Sequence, residues 1–496
     1  MRIQITSLLL SVSMLSLSGC ASLGMNALAS SKTEIATQIP QAPQDAETGI
    51  QGWVAPSADR LPSTDWISEF NDTMLTALVT EAMNANTDVR QAAARLAAAE
   101  ANAKSSRAGL YPSISTSNSA SRSESLSNRS PDGSSFSLGA TASWEVDMWG
   151  RVRNQADAGD FDAQASNADY AGTRLAIAGV TTQTWFNLIE ARLQTDLAIR
   201  NVETQERALR LTKRRFDGGV SGSSDYRLAR SALANARASL ATRKRIQSST
   251  TRQLEILLRR YPEDALQTRD QLPQLPLLSS AGAPRDIFLR RPDLLAAERR
   301  MYAAGLRVDI AKKNLLPRLT LSGGPSTGAG SLTRLFSLEN LAASIGAGLT
   351  APIFQGGALK ADVVRNEALL RQQTEAYADI ALNAYREVED ALDGEGLLSE
   401  REDALTISLR EAQKAEERLE QRFSEGLASI LQLLDAQGRR ISTEGQLISA
   451  RKERLANRVR LHLALGGGVH GQETAREKLA KPKVSLPKLA KLSPFP

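Results

Sequence analysis

One strand-to-helix junction occurs twice in the sequence, and this duplication limits the folds open to the chain. In 136–146 and in 341–351, apolar residues alternate with small or polar ones, a period of two that is typical of a β-strand. Each stretch is followed by a long Ala-, Gln- and Arg-rich segment of helical character. Three landmarks recur at offsets of 205, 205 and 207 positions: Pro112 and Pro317, Trp149 and Phe354, and Phe216 and Phe423. The chain is therefore predicted to contain two copies of a helix–strand–strand–helix–turn–helix unit.

The predicted copies span 65–283 and 284–468. Their long helices carry apolar residues at the three- and four-residue spacing of coiled coils. The first copy is predicted to have strands at about 112–122 and 135–147 and helices at about 150–216 and 223–261. The second copy is predicted to have strands at about 317–327 and 341–352 and helices at about 357–423 and 430–465.

The N-terminus predicts export and a lipid anchor. Arg2 precedes a short apolar run that ends in Leu17-Ser18-Gly19-Cys20, so residues 1–19 resemble a bacterial lipoprotein signal peptide. Cys20 is the only cysteine among 496 residues and is the expected lipidation site. Ala21 and Ser22 follow it in place of the aspartate that retains many lipoproteins in the inner membrane, which favours the outer membrane. Residues 20–64 are predicted to form an extended lead, and the basic, proline-containing 469–496 a disordered tail.

Residue usage argues against catalysis, resident metals and nucleic acid. The two histidines, His462 and His470, have no cysteine or carboxylate at ligand spacing. Phosphate-binding loops do not occur. The formal net charge is +6, and basic residues do not cluster with stacking aromatics. We therefore expect no catalytic residue, no metal, no cofactor other than the covalent lipid on Cys20, and no nucleic-acid partner.

The strands have the length and pattern of a membrane wall. A tilted strand of about ten residues crosses a bilayer, and alternation places lipid on one face and water on the other. Phe136 and Trp144 would then lie at the two membrane interfaces; the alternative is a half-buried hairpin in water. Because open sheet edges are not tolerated in lipid, four strands per chain require oligomerisation. Two chains would give eight strands and a filled lumen, whereas three give twelve and an open bore, so we expect a trimer.

Together, the lipoprotein signal, the duplicated unit and the Arg-Phe-x-x-Gly turns at 215–219 and 422–426 resemble the TolC-like outer-membrane factors of Gram-negative tripartite efflux pumps, in particular their lipoprotein branch. The resemblance implies an α+β membrane protein: a trimeric 12-stranded β-barrel in the outer membrane, continued by a periplasmic α-helical barrel. It also implies docking on a periplasmic adaptor and an inner-membrane transporter, and export of drugs or other small toxic compounds. An exit duct for secreted proteins or peptides and a structural coiled-coil envelope lipoprotein remain as alternatives.

The resemblance further implies two sets of site residues. Leu431 and Asp435, four apart on one helical face, match a leucine and an aspartate that narrow the closed periplasmic end, as an apolar collar and an acidic ring in a trimer. A solvated Asp435 is the alternative. Many family members have arginine where this chain has Gly438. The sequence therefore does not establish an arginine that forms a salt bridge with Asp435. The helix–helix turns match the tips that meet the adaptor, although their glycines could serve only the turn. These tip residues are Phe216, Gly218, Gly219, Ser221, Phe423, Gly426 and Ser429.

Overall fold

The structure, a computed structural model, describes Trp53 and residues 65–124, 133–278 and 281–467. The predicted signal peptide 1–19, Cys20, the lead apart from Trp53 and the tail 469–496 lie outside these residues.

The long helices of the two copies have matching lengths. The first copy contains α1 (Thr73–Ala85), α2 (Thr87–Ala108), β1 (Ser113–Ser123), β2 (Gly133–Val146), α3 (Arg151–Asp217) and α4 (Ser223–Leu257). The second contains α5 (Pro292–Lys313), β3 (Arg318–Ala329), β4 (Leu341–Thr350), α6 (Ala358–Ser424) and α7 (Ile430–Ala464). Single turns of helix occur at Ser68–Phe70, Pro284–Asp286, Ile287–Arg290, Leu332–Leu335 and Leu338–Asn340. Both α3 and α6 have 67 residues, and both α4 and α7 have 35, as expected for a duplication.

The helix α4 ends earlier than predicted. It stops at Leu257 rather than at about 261, because Arg259 takes a left-handed conformation with φ of 58°. The Arg260 N–H donates to the Glu255 carbonyl at 2.8 Å and the Arg259 N–H to the Ile256 carbonyl at 2.9 Å, the bond pattern of a Schellman motif. Since glycine usually occupies this position, an arginine there gave no stop signal in the sequence.

The four strands form one antiparallel sheet in the order β1-β2-β3-β4. Directly paired residues share a face, so the register determines which side chains lie together. One face carries the large apolar groups: Ile114, Phe136, Leu138, Trp144, Leu321, Ile345 and Leu349. The opposite face carries small and polar residues, among them Ser117, Gly139, Thr141, Ser322, Ser344 and Gly348. The sheet therefore has one apolar face and one polar face, as a wall between lipid and water requires.

The chain divides into two compact units, and each contains residues from both copies. Unit 1 consists of Ala97–Ser166, apart from residues that are not described, and Ala296–Asp379; it contains the sheet. Its buried side chains include Met301, Val308 and Leu370. Unit 2 contains the remaining described residues, with a core around Trp66, Phe70 and Trp185. In that core the Trp185 indole N–H donates to Asp72 Oδ2 at 2.9 Å, and Asp72 also caps α1.

Across the described ranges, every helix is too short or too polar to be a candidate membrane span.

Candidate functional site: turns, constriction and strand-to-helix junction

The junction between strands and helices in unit 1 is held by side-chain bonds between the copies. The Trp149 indole N–H donates to the Pro317 carbonyl at 2.7 Å, and Lys313 Nζ donates to the Gly150 carbonyl at 3.2 Å. The Arg151 guanidinium binds the Glu145 carboxylate with two bonds of 2.9 and 2.7 Å. These bonds fix the direction in which α3 leaves β2. Burial lowers the pKa of Lys313, which is half-buried at this junction.

The predicted interface aromatics lie on the apolar face of the sheet. Phe136 and Trp144 are both partly exposed, and the Trp144 indole N–H donates to the Leu110 carbonyl at 3.1 Å. Trp144 is therefore anchored near the C-terminal end of α2. Their position at a membrane interface stays a prediction.

The two helix–helix turns of unit 2 have the same backbone structure. In the first turn the Val220 N–H donates to the Arg215 carbonyl at 2.8 Å and the Gly219 N–H to the Phe216 carbonyl at 2.9 Å. In the second turn the equivalent bonds join Leu427 to Arg422 and Gly426 to Phe423, at 2.8 and 3.1 Å. Each is a Schellman motif.

Positive φ angles explain the final glycine of each Arg-Phe-x-x-Gly sequence. Gly219 and Gly426 have φ angles of 74° and 83°, which side chains with a Cβ rarely adopt. Gly218 does not have a positive φ, so its predicted role in the reversal is wrong. The backbone of the turn therefore accounts for glycine at both positions, and a contact of Gly219 and Gly426 with an adaptor stays a prediction.

Arg215 joins the two turns, a role that the sequence did not reveal. Its Nη1 donates to the Phe423 carbonyl at 2.5 Å, and its guanidinium carbon lies 5.0 Å from the centroid of the Phe423 ring. The ring is covered further by a cluster that contains Ala229, Ile430 and Leu433. This contact combines a charge-assisted hydrogen bond with a cation–π interaction.

The predicted tip residues differ in accessibility. Phe216 is 39% exposed and stacks on Tyr226, with 5.7 Å between the ring centroids. Phe423 is only 3% exposed, and its ring packs inside unit 2, which argues against the predicted direct contact with an adaptor. Ser429 caps α7: its N–H donates to Gln432 Oε1 at 3.0 Å, and its hydroxyl accepts from the Gln432 N–H at 3.3 Å. Ser221 is half-buried and lies 3.4 Å from the Asp225 carboxylate.

The predicted constriction residues lie on the exposed face of the first turns of α7. Leu431 is 64% exposed, whereas its neighbours Ile430 and Leu433 are buried in the packed cluster. Asp435 is exposed on the same face and accepts a bond from Arg439 Nε at 2.9 Å. This bond raises the pKa of Arg439. The acidic group therefore has a basic partner four residues later, at the arginine after Gly438.

A second ionic group lies further along α7 and links three helices of unit 2. Arg440 binds Glu416 of α6 and, at 2.7 Å, Glu444 one turn away. Glu444 also binds Arg200 of α3 at 2.6 Å. Burial raises the pKa of Glu416, and the Arg440 charge opposes that rise. The sequence did not reveal this group, because Arg200 is separated from Glu444 by 244 positions.

The described residues contain no group of three or more histidine, cysteine, aspartate or glutamate side chains able to hold a metal ion. The described ion pairs join carboxylates mostly to arginine or lysine on helices, the pattern of helix packing and of solvated helix surfaces.

A duplicated strand-to-helix unit, with one apolar sheet face and long helices closed by matched turns, defines a class of outer-membrane channel proteins. The sequence pattern of the family described as "Outer membrane efflux protein" matches residues 78–258 and 283–467, and the chain belongs to that family. It is an outer-membrane efflux protein that extends into the periplasm. The predicted fold class, in which β-barrel strands continue into the helices of a helical barrel, is confirmed.

Individual relatives cover nearly the whole chain. The toluene efflux pump outer membrane protein TtgF of Pseudomonas putida is 30% identical over 83% of this chain and 87% of its own length. The cation efflux system protein CusC of Escherichia coli is 27% identical over 92% of this chain and 97% of its own. The open state of the Neisseria gonorrhoeae outer membrane channel MtrE matches with a TM-score of 0.76 at 27% identity, over 87% of this chain and 98% of that one.

Proposed function

We propose that three copies of this chain form the exit duct of a tripartite efflux system for drugs or other small toxic compounds. The observation that carries this proposal is the sheet, in which all large apolar residues of four strands lie on one face and serine, threonine and glycine on the other. Such a sheet suits lipid on one side and a water-filled lumen on the other.

Trimer formation is supported by the number of strands. Among the described strands, β1 and β4 each pair with one neighbour, which leaves two edges to be paired in lipid. Pairing β4 of one chain with β1 of the next chain would close the barrel. Twelve strands give an open bore, whereas eight give a lumen that side chains fill.

The proposed partners are a periplasmic adaptor and an inner-membrane transporter. The turns at Phe216 and at Gly426–Ser429 end the long helices of unit 2, and Phe216, Val220 and Leu427 are exposed there. Exposed apolar groups at turns with a fixed backbone offer a defined docking surface. Lipid on Cys20 would anchor the N-terminus in the outer membrane. An intact mass without acyl groups would contradict the anchor.

The cargo is proposed to be small molecules, by analogy with the relatives. Their names specify toluene for TtgF and cations for CusC, while an OpmQ relative is named for pyoverdine export. This range indicates that the outer-membrane channel is compatible with different chemistries. The transporter is therefore expected to select the cargo.

Deletion of the gene in its own host tests the proposed function. We expect lower tolerance of several unrelated toxic compounds, restored by the wild-type gene on a plasmid. Unchanged tolerance together with the loss of a secreted protein from the medium would contradict drug efflux and favour the protein-secretion duct. Unchanged tolerance with a weakened envelope would favour a structural lipoprotein.

A further inference from the structure

The exposed surface of α4 carries a stripe of basic side chains, here called the basic stripe. At about 100° of rotation per residue, its members lie within a sector of about 100° and extend over about 38 Å of the helix. All of them are exposed: Arg227, Arg230, Arg237, Lys244, Arg245 and Arg252. The other residues of this sector between Arg227 and Arg252 are Ala234, Ala241 and Ser248. This part of α4 therefore combines positive charge with small side chains and contains no acidic or large apolar residue.

Most of the basic stripe is not neutralised within the chain. Arg237 pairs with Glu206 at 2.9 Å, and Arg252 lies 3.8 Å from Asp264. The remaining four members have no ion-pair partner among the described residues: Arg227, Arg230, Lys244 and Arg245. The stripe therefore presents unpaired positive charge to its surroundings.

The matched helix of the second copy has no such stripe. The helix α7 has the same length as α4, 35 residues, and follows an equivalent turn. Two of its equivalent residues are basic, and both are paired: Arg451 with Glu402 at 3.0 Å and Lys452 with Glu190 at 3.3 Å. The other equivalent residues are Leu434, Gln437, Glu444 and Val459. Because the duplicated helix folds without the charges, the basic stripe is not a requirement of the fold.

In the proposed ring of chains, the basic stripe faces away from the lumen. Asp435, which is proposed to face the lumen, corresponds to Leu228 of α4. Leu228 is 43% exposed and lies about 150° around the helix from the middle of the stripe. The buried residues Ala229 and Ala236, which pack α4 against the rest of unit 2, lie between these two faces. The stripe is therefore expected to be open to the periplasm outside the duct.

We propose that the basic stripe binds the carboxylates of the cell-wall polymer, peptidoglycan, where the duct passes through the wall. This polymer lies in the periplasm, the compartment into which the protein extends. The outward orientation rests on the proposed function, whereas the charge pattern does not. Arginine binds carboxylates through paired N–H donors, and positive groups repeated along a helix suit a polymer with repeated anionic groups.

The composition of the basic stripe favours a polyanion over a protein partner. The centre of a protein–protein interface is usually depleted of charge and contains apolar or aromatic side chains that fill pockets. Between Arg227 and Arg252 the stripe offers only alanine and serine besides the basic residues. A flexible anionic polymer can bind such a surface through charge alone. The contact would hold the duct in place within the wall.

Sedimentation of the detergent-solubilised protein with purified peptidoglycan sacculi tests this contact. The stripe variant combines the four unpaired positions: Arg227→Gln, Arg230→Gln, Lys244→Gln and Arg245→Gln. The control variant removes four exposed basic groups outside the stripe that also lack an ion-pair partner within the described ranges: Arg90→Gln, Arg243→Gln, Arg410→Gln and Arg418→Gln. At low salt we expect the stripe variant to bind the sacculi about tenfold more weakly, because four weak ion pairs are lost. The control variant should bind as the wild type does.

The same sacculi with amidated carboxylates identify the recognised group. We expect the wild type to lose binding to them; undiminished binding would contradict carboxylate recognition. Wild-type protein that stays in the supernatant, or equal losses in the stripe and control variants, would overturn the proposal. So would full binding of the stripe variant to sacculi together with loss of a copurified adaptor, which would assign the stripe to a protein partner.

Native mass spectrometry separates this contact from the proposed function. A wild type that binds sacculi without forming a trimer would contradict the proposed function and leave the stripe as the binding surface. If the fourfold stripe variant does not assemble, Lys244→Gln decides by comparison with Arg243→Gln, its neighbour on another face of α4. We expect weaker binding for Lys244→Gln alone, and equal binding of the two variants would overturn the proposal.

Discussion

Arg215 and Arg439 show how single basic side chains set the properties of the helix–helix turns in unit 2. Arg215 ties the two turns together through the Phe423 carbonyl and ring. Arg439 partners the exposed carboxylate of Asp435. One arginine thus acts on the geometry of the turns and the other on the charge of the proposed constriction.

The proposed constriction can be tested by truncation. Three copies of Leu431 and Asp435 at one level would narrow the bore and attract cations. We expect Leu431→Ala with Asp435→Ala to raise single-channel conductance in planar bilayers and to weaken cation preference. Leu228→Ala, at the position of the first copy that corresponds to Asp435, should change both less, because the first copy has a leucine there and no acid. Unchanged conductance and selectivity with an intact oligomer would show that closure lies elsewhere.

Glu416 should make the stability of unit 2 depend on pH. Its folded-state pKa is raised above the ordinary value of 4.5, mainly by burial. A raised pKa means that the stability contributed by the protonated acid is fully present below about pH 4.5 and is lost as pH rises through the folded-state pKa. Glu416→Gln removes this titration. We expect the thermal midpoint of the wild type, relative to Glu416→Gln, to fall as pH increases from 4; a constant difference would contradict the assignment.

The amino-acid pattern predicts the strands and helices that occur in both repeats of the chain. It does not predict features that depend on packing between residues far apart in the sequence. The alternation in β2 and β4 is visible in the sequence, whereas the serine-rich β1 is recognised only through its counterpart in the second copy. Phe216 and Phe423 occupy equivalent turns, yet one is exposed and the other buried. The difference comes from Arg215 and from the cluster around Ile430, neither of which local sequence reveals.

Gly426, in the turn, and Gly438, inside α7, allow two glycine-to-alanine substitutions to be compared. Gly426→Ala forces a side chain into a positive φ and should destabilise the protein by about 1 kcal/mol. Gly438→Ala lies inside α7, where an added Cβ meets no atom within 4 Å, and should stabilise it by about 0.5–1 kcal/mol. Thermal unfolding followed by circular dichroism measures both. Equal effects of the two changes would contradict the role given to the turn.

The sheet faces can be tested with arginine. Leu138→Arg and Leu349→Arg should each hinder assembly by about 2–4 kcal/mol if these positions face lipid near the middle of the bilayer. Ser137→Arg, one residue away on the polar face, is the control and should leave assembly nearly intact. The measurement is the fraction of heat-modifiable oligomer recovered from membranes. An equal loss of oligomer in the two leucine variants and in Ser137→Arg would contradict the assignment of the apolar face to lipid.

At the scale of the whole molecule, duplication supplies two strands and two long helices from each half of the chain. Among the described strands, the sheet remains open at β1 and β4 in one chain. Strands of further chains would pair these two edges. The number of copies then determines whether the lumen is filled or open.

The proposed trimer is tested by the mass of the assembled protein, measured by native mass spectrometry after extraction in detergent. One chain has a mass of 53.5 kDa before processing. We expect a complex of three chains, each shortened by the signal peptide and carrying the lipid. A complex that stops at two chains would contradict the twelve-stranded barrel and the open bore.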